Sequence, residues 1–237
     1  MVKINHKISS WVAFWDTSNS IFVSARHKEV HYRQMALEIS RYLPSPAARV
    51  LDYGSGEALY ANLVAAAAGQ VLLCEGAPRI RASAAARFAD IPKIRAVAPE
   101  EVEQLPPHSL DLIVLHSVAQ YLTPDDTQAL FALFHQLLKR NGMLIVSDVI
   151  PPSVPAIIDA LALLRFGAAN GFLIAALGGL VRSRLSSYWW LRTRFGSTRY
   201  GEVAMIDKLA AAGFSARRAS KNFGHNQARM AFVARPR

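Results

Sequence analysis

Asp52, the Gly54-Ser55-Gly56 that follows it, Glu75, His116 and His225 have the types and spacing to do chemistry. An apolar run, Val50 and Leu51, ends in Asp52. Gly54-Ser55-Gly56-Glu57-Ala58 then opens a long Ala- and Leu-rich segment, so a buried strand turns sharply into a helix. Gly54 and Gly56 let the backbone approach a ligand without interference from Cβ, Ala58 keeps helix and strand close, and the helix N-terminus offers free N–H groups. That is the pattern of a nucleotide-cofactor turn. Glu75 ends the next strand-like run, Val71 to Cys74, about 20 residues downstream, where an acid grips ribose hydroxyls. His116 falls where a later strand ends, the edge of an open α/β sheet at which ligands gather. An imidazole there can remove a proton from an acceptor, line the cofactor pocket, or hold backbone by a hydrogen bond. His225 and Asn226 sit at a turn, where they either face a substrate or shape the chain.

The order Leu51-Asp52-Tyr53-Gly54-Ser55-Gly56 puts an acid ahead of the glycines. Dinucleotide sites generally start their glycines directly after the strand, and an acid pointing into the loop repels a pyrophosphate. Val50-Leu51-Asp52-Tyr53-Gly54-Ser55-Gly56-Glu57-Ala58 resembles motif I of the class I S-adenosylmethionine-dependent methyltransferases, of the type 11/12-like kind. Their cofactor carries an ammonium and a sulfonium, which an acid suits. The resemblance continues in Leu72 to Pro78, similar to the family's second strand with its ribose acid. Leu110 to Leu122 is similar to the fourth strand and following loop, also as found in methyltransferase domains of peptide and polyketide synthases, and Gly142 to Asp148 to the fifth strand. It covers roughly residues 49–150. It implies S-adenosyl-L-methionine as cofactor, held by Asp52, Gly54, Ser55, Gly56, Glu75, Gly76 and Ala77. His116, Ser117 and Tyr121 follow from the loop after the fourth strand. Where the family often has an acid and a small residue to meet the adenine, this chain has Ala98-Pro99-Glu100-Glu101-Val102. A backbone group near Glu101 and Val102 is the reader expected there. A helix before the first strand lies over the methionine end of the cofactor in related enzymes, which makes Tyr32 and Arg33 candidates for that contact, unless the aromatics there simply pack on the sheet.

The elements that must position these residues give an α/β fold. The resemblance implies a Rossmann-like seven-stranded sheet with one antiparallel strand, flanked by helices, to which this chain adds an N-terminal helical lid and a helical cap between strands 5 and 6. Residues 1–48 form the lid, with Trp11, Phe14 and Trp15 on one helical face and a second helix from His27 to Tyr42. Residues 49–150 form the cofactor-binding core, its fifth strand entered from a helix that runs to Arg140. Residues 151–200 form a hydrophobic, basic cap, and 201–237 a last helix (Met205 to Ala212) and two strands, Phe214 to Phe223 and Arg229 to Ala234. The apolar piece Gly171 to Val181 is shorter than the ~20 residues a spanning helix needs.

Hydrophobic residues make up 52% of 237, ample for the core of one elaborated domain. The single cysteine, Cys74, excludes a disulfide framework and a cysteine-based zinc site. The histidines form no compelling ligand set, so no metal is expected. The first residues lack a sustained apolar region, which argues for a cytoplasmic protein. The net charge is +10, divided as +3 over residues 1–48, −3 over 49–150 and +10 over 151–237, with no acid between Asp159 and Glu202. Such a field favours an anionic partner. Arg182, Arg184, Arg192 and Arg194 alternate with Tyr188, Trp189 and Trp190, a mixture suited to the headgroup level of an anionic membrane's inner face. The function expected is methyl transfer to a hydrophobic small-molecule or lipid-like acceptor. RNA methylation is the enzymatic rival, but the DPPY- or NPPY-type signature for exocyclic nucleobase nitrogens is absent at His116-Ser117-Val118-Ala119. The rival from another class is a catalytically silent cofactor- or membrane-binding scaffold.

Overall fold

The computed structural model describes residues 6–17, 21–183 and 196–237. The expected segment Arg184 to Arg194, with its tyrosine and tryptophans, therefore lies outside the described residues. Strands β1 (Arg49–Tyr53), β2 (Gln70–Cys74), β3 (Ile94–Val97), β4 (Leu110–His116), β5 (Leu138–Val149), β6 (Phe214–Arg218) and β7 (Met230–Pro236) form one sheet in the order β3-β2-β1-β4-β5-β7-β6. The first five run parallel, and β7 lies antiparallel to both β5 and β6. Order reverses between β1 and β4, so the carboxyl ends of these two strands open the crevice where α/β sheets bind ligands.

The strands are Val-, Leu- and Ile-rich because both faces of the sheet are covered. On one face α6 (Pro124–Leu137) and α9 (Glu202–Ala211) seal Phe131, Phe134 and Phe214 against Leu51, Ile113 and Val146. On the other, α2 (Ala25–Ser40), α3 (Ala61–Ala67) and α4 (Pro78–Arg87) bury Met35, Ile39 and Val64 against Val50, Leu112 and Val114. α1 (His6–Trp15) and the short α5 (Pro99–Glu103) flank the ligand edge, and α7 (Ala156–Asn170) and α8 (Leu173–Ser183) fold together between β5 and β6.

Several boundaries differ from expectation, three of them with a bearing on the site. α6 stops at Leu137 rather than Arg140, because Leu138 already pairs with Leu110 before a register shift carries the strand to Met143 opposite Leu112. β6 ends at Arg218 rather than Phe223. The next residues turn inward, where the Asn222 side chain receives the Asp148 N–H (2.9 Å) and donates to the Asn226 carbonyl (3.0 Å). The last helix begins three residues early, at Glu202.

Candidate active site

At the end of β1 the chain makes the sharp turn its glycines suggest. Gly54 (φ +79°) leaves 2.3 Å between a built Cβ and Val118 Cγ2, and Gly56 (φ +57°) leaves 2.6 Å to Tyr32 Oη. Neither position accepts a side chain. The N–H groups of Gly54 and Ser55 donate to the Cys74 carbonyl at 2.8 and 3.0 Å, tying the loop to β2. The helix does not follow directly, however: Ala58 is left-handed (φ 42°) and α3 starts only at Ala61. Side chains take the loop amides instead. Gly56 N donates to Glu75 Oε2 and Glu57 N to Tyr32 Oη, both at 2.9 Å.

Glu75 also accepts from Ala77 N at 2.8 Å. Burial raises its carboxyl, and the N–H groups of Ala77, Gly56 and Gly76 work against that rise. Asp52 has no such help, and burial, with Glu75 nearby, pushes its carboxyl up to about 7. The Ser55 hydroxyl is buried with no hydrogen-bond partner. Two acids that resist sharing a dry site, an orphaned hydroxyl and a cradle without Cβ atoms fit a ligand with positive charge and ribose-like hydroxyls.

These groups line one end of a cavity of about 1160 Å³, larger than the ~300–1,000 Å³ usual for a single ligand. α1 covers this end. Val12 approaches Gly76, Trp11 packs on Tyr121 (ring centroids 4.6 Å apart), and Asp16 accepts from Arg79 N at 2.6 Å. Tyr32 comes from α2, which is capped by Ser24 and tied to the loop by Lys28–Glu57 (2.6 Å). Arg33 points away and is exposed.

Two expected residues do not reach the cavity. Glu101 is exposed, accepting from Ala98 N (2.7 Å) and Arg95 (2.9 Å), and Val102 is wholly buried in the core. Their N–H groups are already bonded to the Ala98 carbonyl. The side chains of α5 that face the cavity are Pro99, Glu100 and Glu103. The Ala98-Pro99-Glu100-Glu101 order is a helix start with a glutamate reaching back to the first free N–H, a signal readable in the sequence. Ala77 is likewise fully buried and touches the site only through its N–H on Glu75.

The other end of the cavity is a chamber of rings, of which sequence reasoning named only His116 and His225. Phe22, His27 and His31 come from α2 and the turn before it, His116 from β4 and His225 from the β6–β7 loop, while Phe166 of α7 and Phe172, just before α8, pack behind His225 and His27. His225 stacks on Phe166 (4.6 Å, 10°) and His27 on Phe172 (4.9 Å, 15°), while His31 lies 5.9 Å from His116. Burial pushes His27 down to about 4 and His31 down to about 3, helped by the neighbouring histidines. His116 and His225 are lowered too, mainly by burial. The chamber thus holds neutral imidazoles at pH 7. His116 spends both ring nitrogens locally, Nδ1 at 2.9 Å from Ser147 Oγ and Nε2 at 3.4 Å from Ser117 Oγ.

Beneath the rings lies a buried ionic cluster. Arg229 meets Asp148 at 2.6 Å and Asp159 of α7 at 3.1 Å, and Asn226 donates to Asp159 at 2.7 Å. Burial favours protonating Asp148, but Arg229, His116 and the Ser117 hydroxyl outweigh it and hold the carboxyl below its usual value. Asp148 and Ser117 are both left-handed (φ 61° and 57°) and hydrogen-bonded to each other, the kind of strained backbone that clusters at functional sites. Among the described residues no three histidine, cysteine or acidic side chains come together to hold a metal.

The comparisons agree with this geometry. The model of a methyltransferase domain family matches residues 51–146. No curated protein matches the sequence. Among solved structures, magnesium protoporphyrin IX methyltransferase from Synechocystis, with bound S-adenosylhomocysteine, is 16% identical, with a TM-score of 0.60 and 99% and 96% of the two chains covered. A S-adenosylmethionine-dependent methyltransferase from Leishmania major is 16% identical (TM-score 0.61; 95% and 81% covered). A possible exported protein from Bordetella parapertussis is 20% identical (TM-score 0.58), and the chain covers 86% of itself but only 66% of that protein. At such identities the structures establish the shared fold. The family match from the glycine loop to the fifth strand adds that residues 51–146 carry the pattern of a methyltransferase domain on that fold.

Proposed function

We propose that the protein methylates a hydrophobic, lipid-like acceptor and works peripherally at an anionic membrane. The observation that carries this reading is the ring chamber, a large apolar space at one end of the same cavity whose other end carries Asp52, the glycine loop and Glu75. The cofactor, when bound, supplies an electrophilic methyl on a sulfonium. Asp52 and Glu75 would offset the positive charge of S-adenosylmethionine, Glu75 would also take ribose hydroxyls with the lone pairs its backbone bonds leave free, and Ser55 Oγ would gain the partner it lacks. Gly76, Tyr121, His116 and Ser117, which line the same cavity, would flank the cofactor, and α1 and Tyr32 would keep water out. What remains is to hold the acceptor in line and, for a hydroxyl, to take its proton.

His116 is poorly suited to that second task, since serines occupy both its nitrogens. His225, whose ring face rests on Phe166 and which lines the cavity, is the better base. His31 is a second neutral imidazole in the same wall. The cluster of Asp148, Arg229 and Asp159 carries a net charge of −1, which disfavours an anionic acceptor and an RNA backbone alike. The test is transfer from methyl-labelled S-adenosylmethionine to the organic-soluble, RNA and protein fractions of a cell extract. Label in the organic fraction supports the reading, and label confined to RNA or protein refutes it.

A further inference from the structure

α8 is built inside out. It turns Ala176 and Gly179 toward the protein, Gly179 so close to the loop before α2 that a Cβ would lie 2.2 Å from Val23 Cγ1. Its large aliphatic side chains face outward: Ile174 is 86% exposed, Leu177 51% and Val181 72%. These positions are spaced i, i+3, i+7, so they form one stripe. On the neighbouring α7, Ile157 (60% exposed) and Leu161 (41%) continue the same kind of surface. Charged residues in it are confined to Arg165 and Arg182, both exposed. An isolated exposed leucine needs no explanation, but a face assembled this way over two adjoining helices does.

We infer that the outer face of α7 and α8 is a membrane-docking surface that rests on anionic phospholipid, Ile174, Leu177 and Val181 entering the acyl boundary and Arg165 and Arg182 meeting phosphates. Charge decides among the occupants. A second copy of this chain would bring its own arginines to the face, yet Asp159, the sole acid between residues 151 and 201, is turned inward onto Arg229. A nucleic acid would meet the arginines but leave a stripe of aliphatic side chains against phosphate and sugar. A lipid surface satisfies both, acyl chains for the stripe and phosphates for the arginines. No helix among the described residues is long and apolar enough to cross a membrane, so the helices lie on the bilayer rather than span it.

The face is also continuous with the acceptor chamber. Asp159 of α7 lines that chamber, and Phe166 of α7 and Phe172, just before α8, back its rings His225 and His27. An apolar acceptor would pass from the bilayer into the cavity around these helices without crossing water. This route depends on the apolar-acceptor reading above, whereas the docking itself does not.

The experiment is co-sedimentation of the full chain, without acceptor, with vesicles of phosphatidylcholine alone or with phosphatidylglycerol, at low and high salt. The expected result is strong binding to the anionic vesicles, weakened but not abolished by salt, because headgroup attraction is screened within a Debye length of about 8–10 Å and aliphatic insertion is not. Ile174→Gln with Leu177→Gln and Val181→Gln should lower vesicle affinity at least about tenfold in both salts. Arg165→Gln with Arg182→Gln should remove most of the preference for anionic lipid. All these side chains are exposed, so S-adenosylhomocysteine affinity should stay unchanged and serves as the folding control. Native protein that stays in the supernatant, or aliphatic variants that sediment like the native chain, overturns the proposal. So does a native dimer in solution that the aliphatic changes convert to monomer. If docking holds while no organic-soluble fraction is methylated, the acceptor reading fails and the surface stands.

Discussion

Glu75 offers the sharpest quantitative test of the donor site. In the structure its carboxylate does two things, accepting from Gly56 N at 2.9 Å and from Ala77 N at 2.8 Å while keeping further lone pairs toward the cavity. Those lone pairs are assigned to the ribose hydroxyls. A hydrogen bond to a charged group contributes about 1.5–3 kcal/mol, so Glu75→Ala should weaken S-adenosylhomocysteine binding between about tenfold, for one bond lost at the lower value, and about 150-fold for two. Glu75→Gln should fall between the native protein and Ala, since its amide oxygen can accept from one backbone N–H while its NH2 opposes the other. Isothermal calorimetry reads the affinity, and circular dichroism confirms the fold. Unchanged affinity in Glu75→Ala, or tighter binding of NAD than of the methyl donor, would refute the reasoning.

Other consequences follow from the same geometry. Arg229→Ala would leave Asp148 and Asp159 without their shared cation; these side chains are 12–22% exposed, so the cost falls below the roughly 3–5 kcal/mol of a fully buried pair, and thermal unfolding should show a drop that Arg229→Lys only partly repairs. His27 and His31 are held at about 4 and about 3 against 6.5 when unfolded, so the unfolded chain binds protons that the native chain refuses, and stability should fall as pH drops below about 6.5. Asp52, pushed up to about 7 from 3.8, has the opposite sign, a contribution present below about 4 and lost as pH rises through 7. The histidines outnumber it, so a melting temperature that rises on acidification from pH 6.5 to 5 would contradict this account. His225→Ala should cut turnover by about 10²–10⁴ with cofactor affinity unchanged, and His116→Ala should cut it less; equal and near-native turnover in both would mean that catalysis proceeds by positioning alone.

The donor end was legible because its information is local. A strand, an acid, two glycines that cannot carry Cβ and a second acid at the next strand end fall within 24 residues of each other, Asp52 to Glu75. The seven-stranded sheet and its antiparallel pair were legible through the resemblance of these runs to the family's motifs. The acceptor end was not legible, because its rings arrive from α2, β4, the α7–α8 pair and the β6–β7 loop, and aromatic side chains at helical spacing look like core until their neighbours are known. His31 and Phe166 carry no sequence mark that separates them from Met35 or Phe134. α8 shows the same limit, for the apolar period of Ile174, Leu177 and Val181 reads identically whether that stripe faces in or out. Only the packing of Gly179 on Val23 decides it. Glu101 shows the opposite case, a local signal: Ala98-Pro99-Glu100-Glu101 is a helix-start pattern, and its carboxylate does reach back to the Ala98 N–H.

The most direct measurement is a crystal structure of the protein with S-adenosylhomocysteine. The account predicts ribose hydroxyls on the Glu75 carboxylate, the amino acid end beside Asp52 and Ser55 under Tyr32, and the thioether sulfur facing the chamber of His31, His116 and His225. An adenosine bound away from Glu75, or a sulfur turned from that chamber, would contradict it.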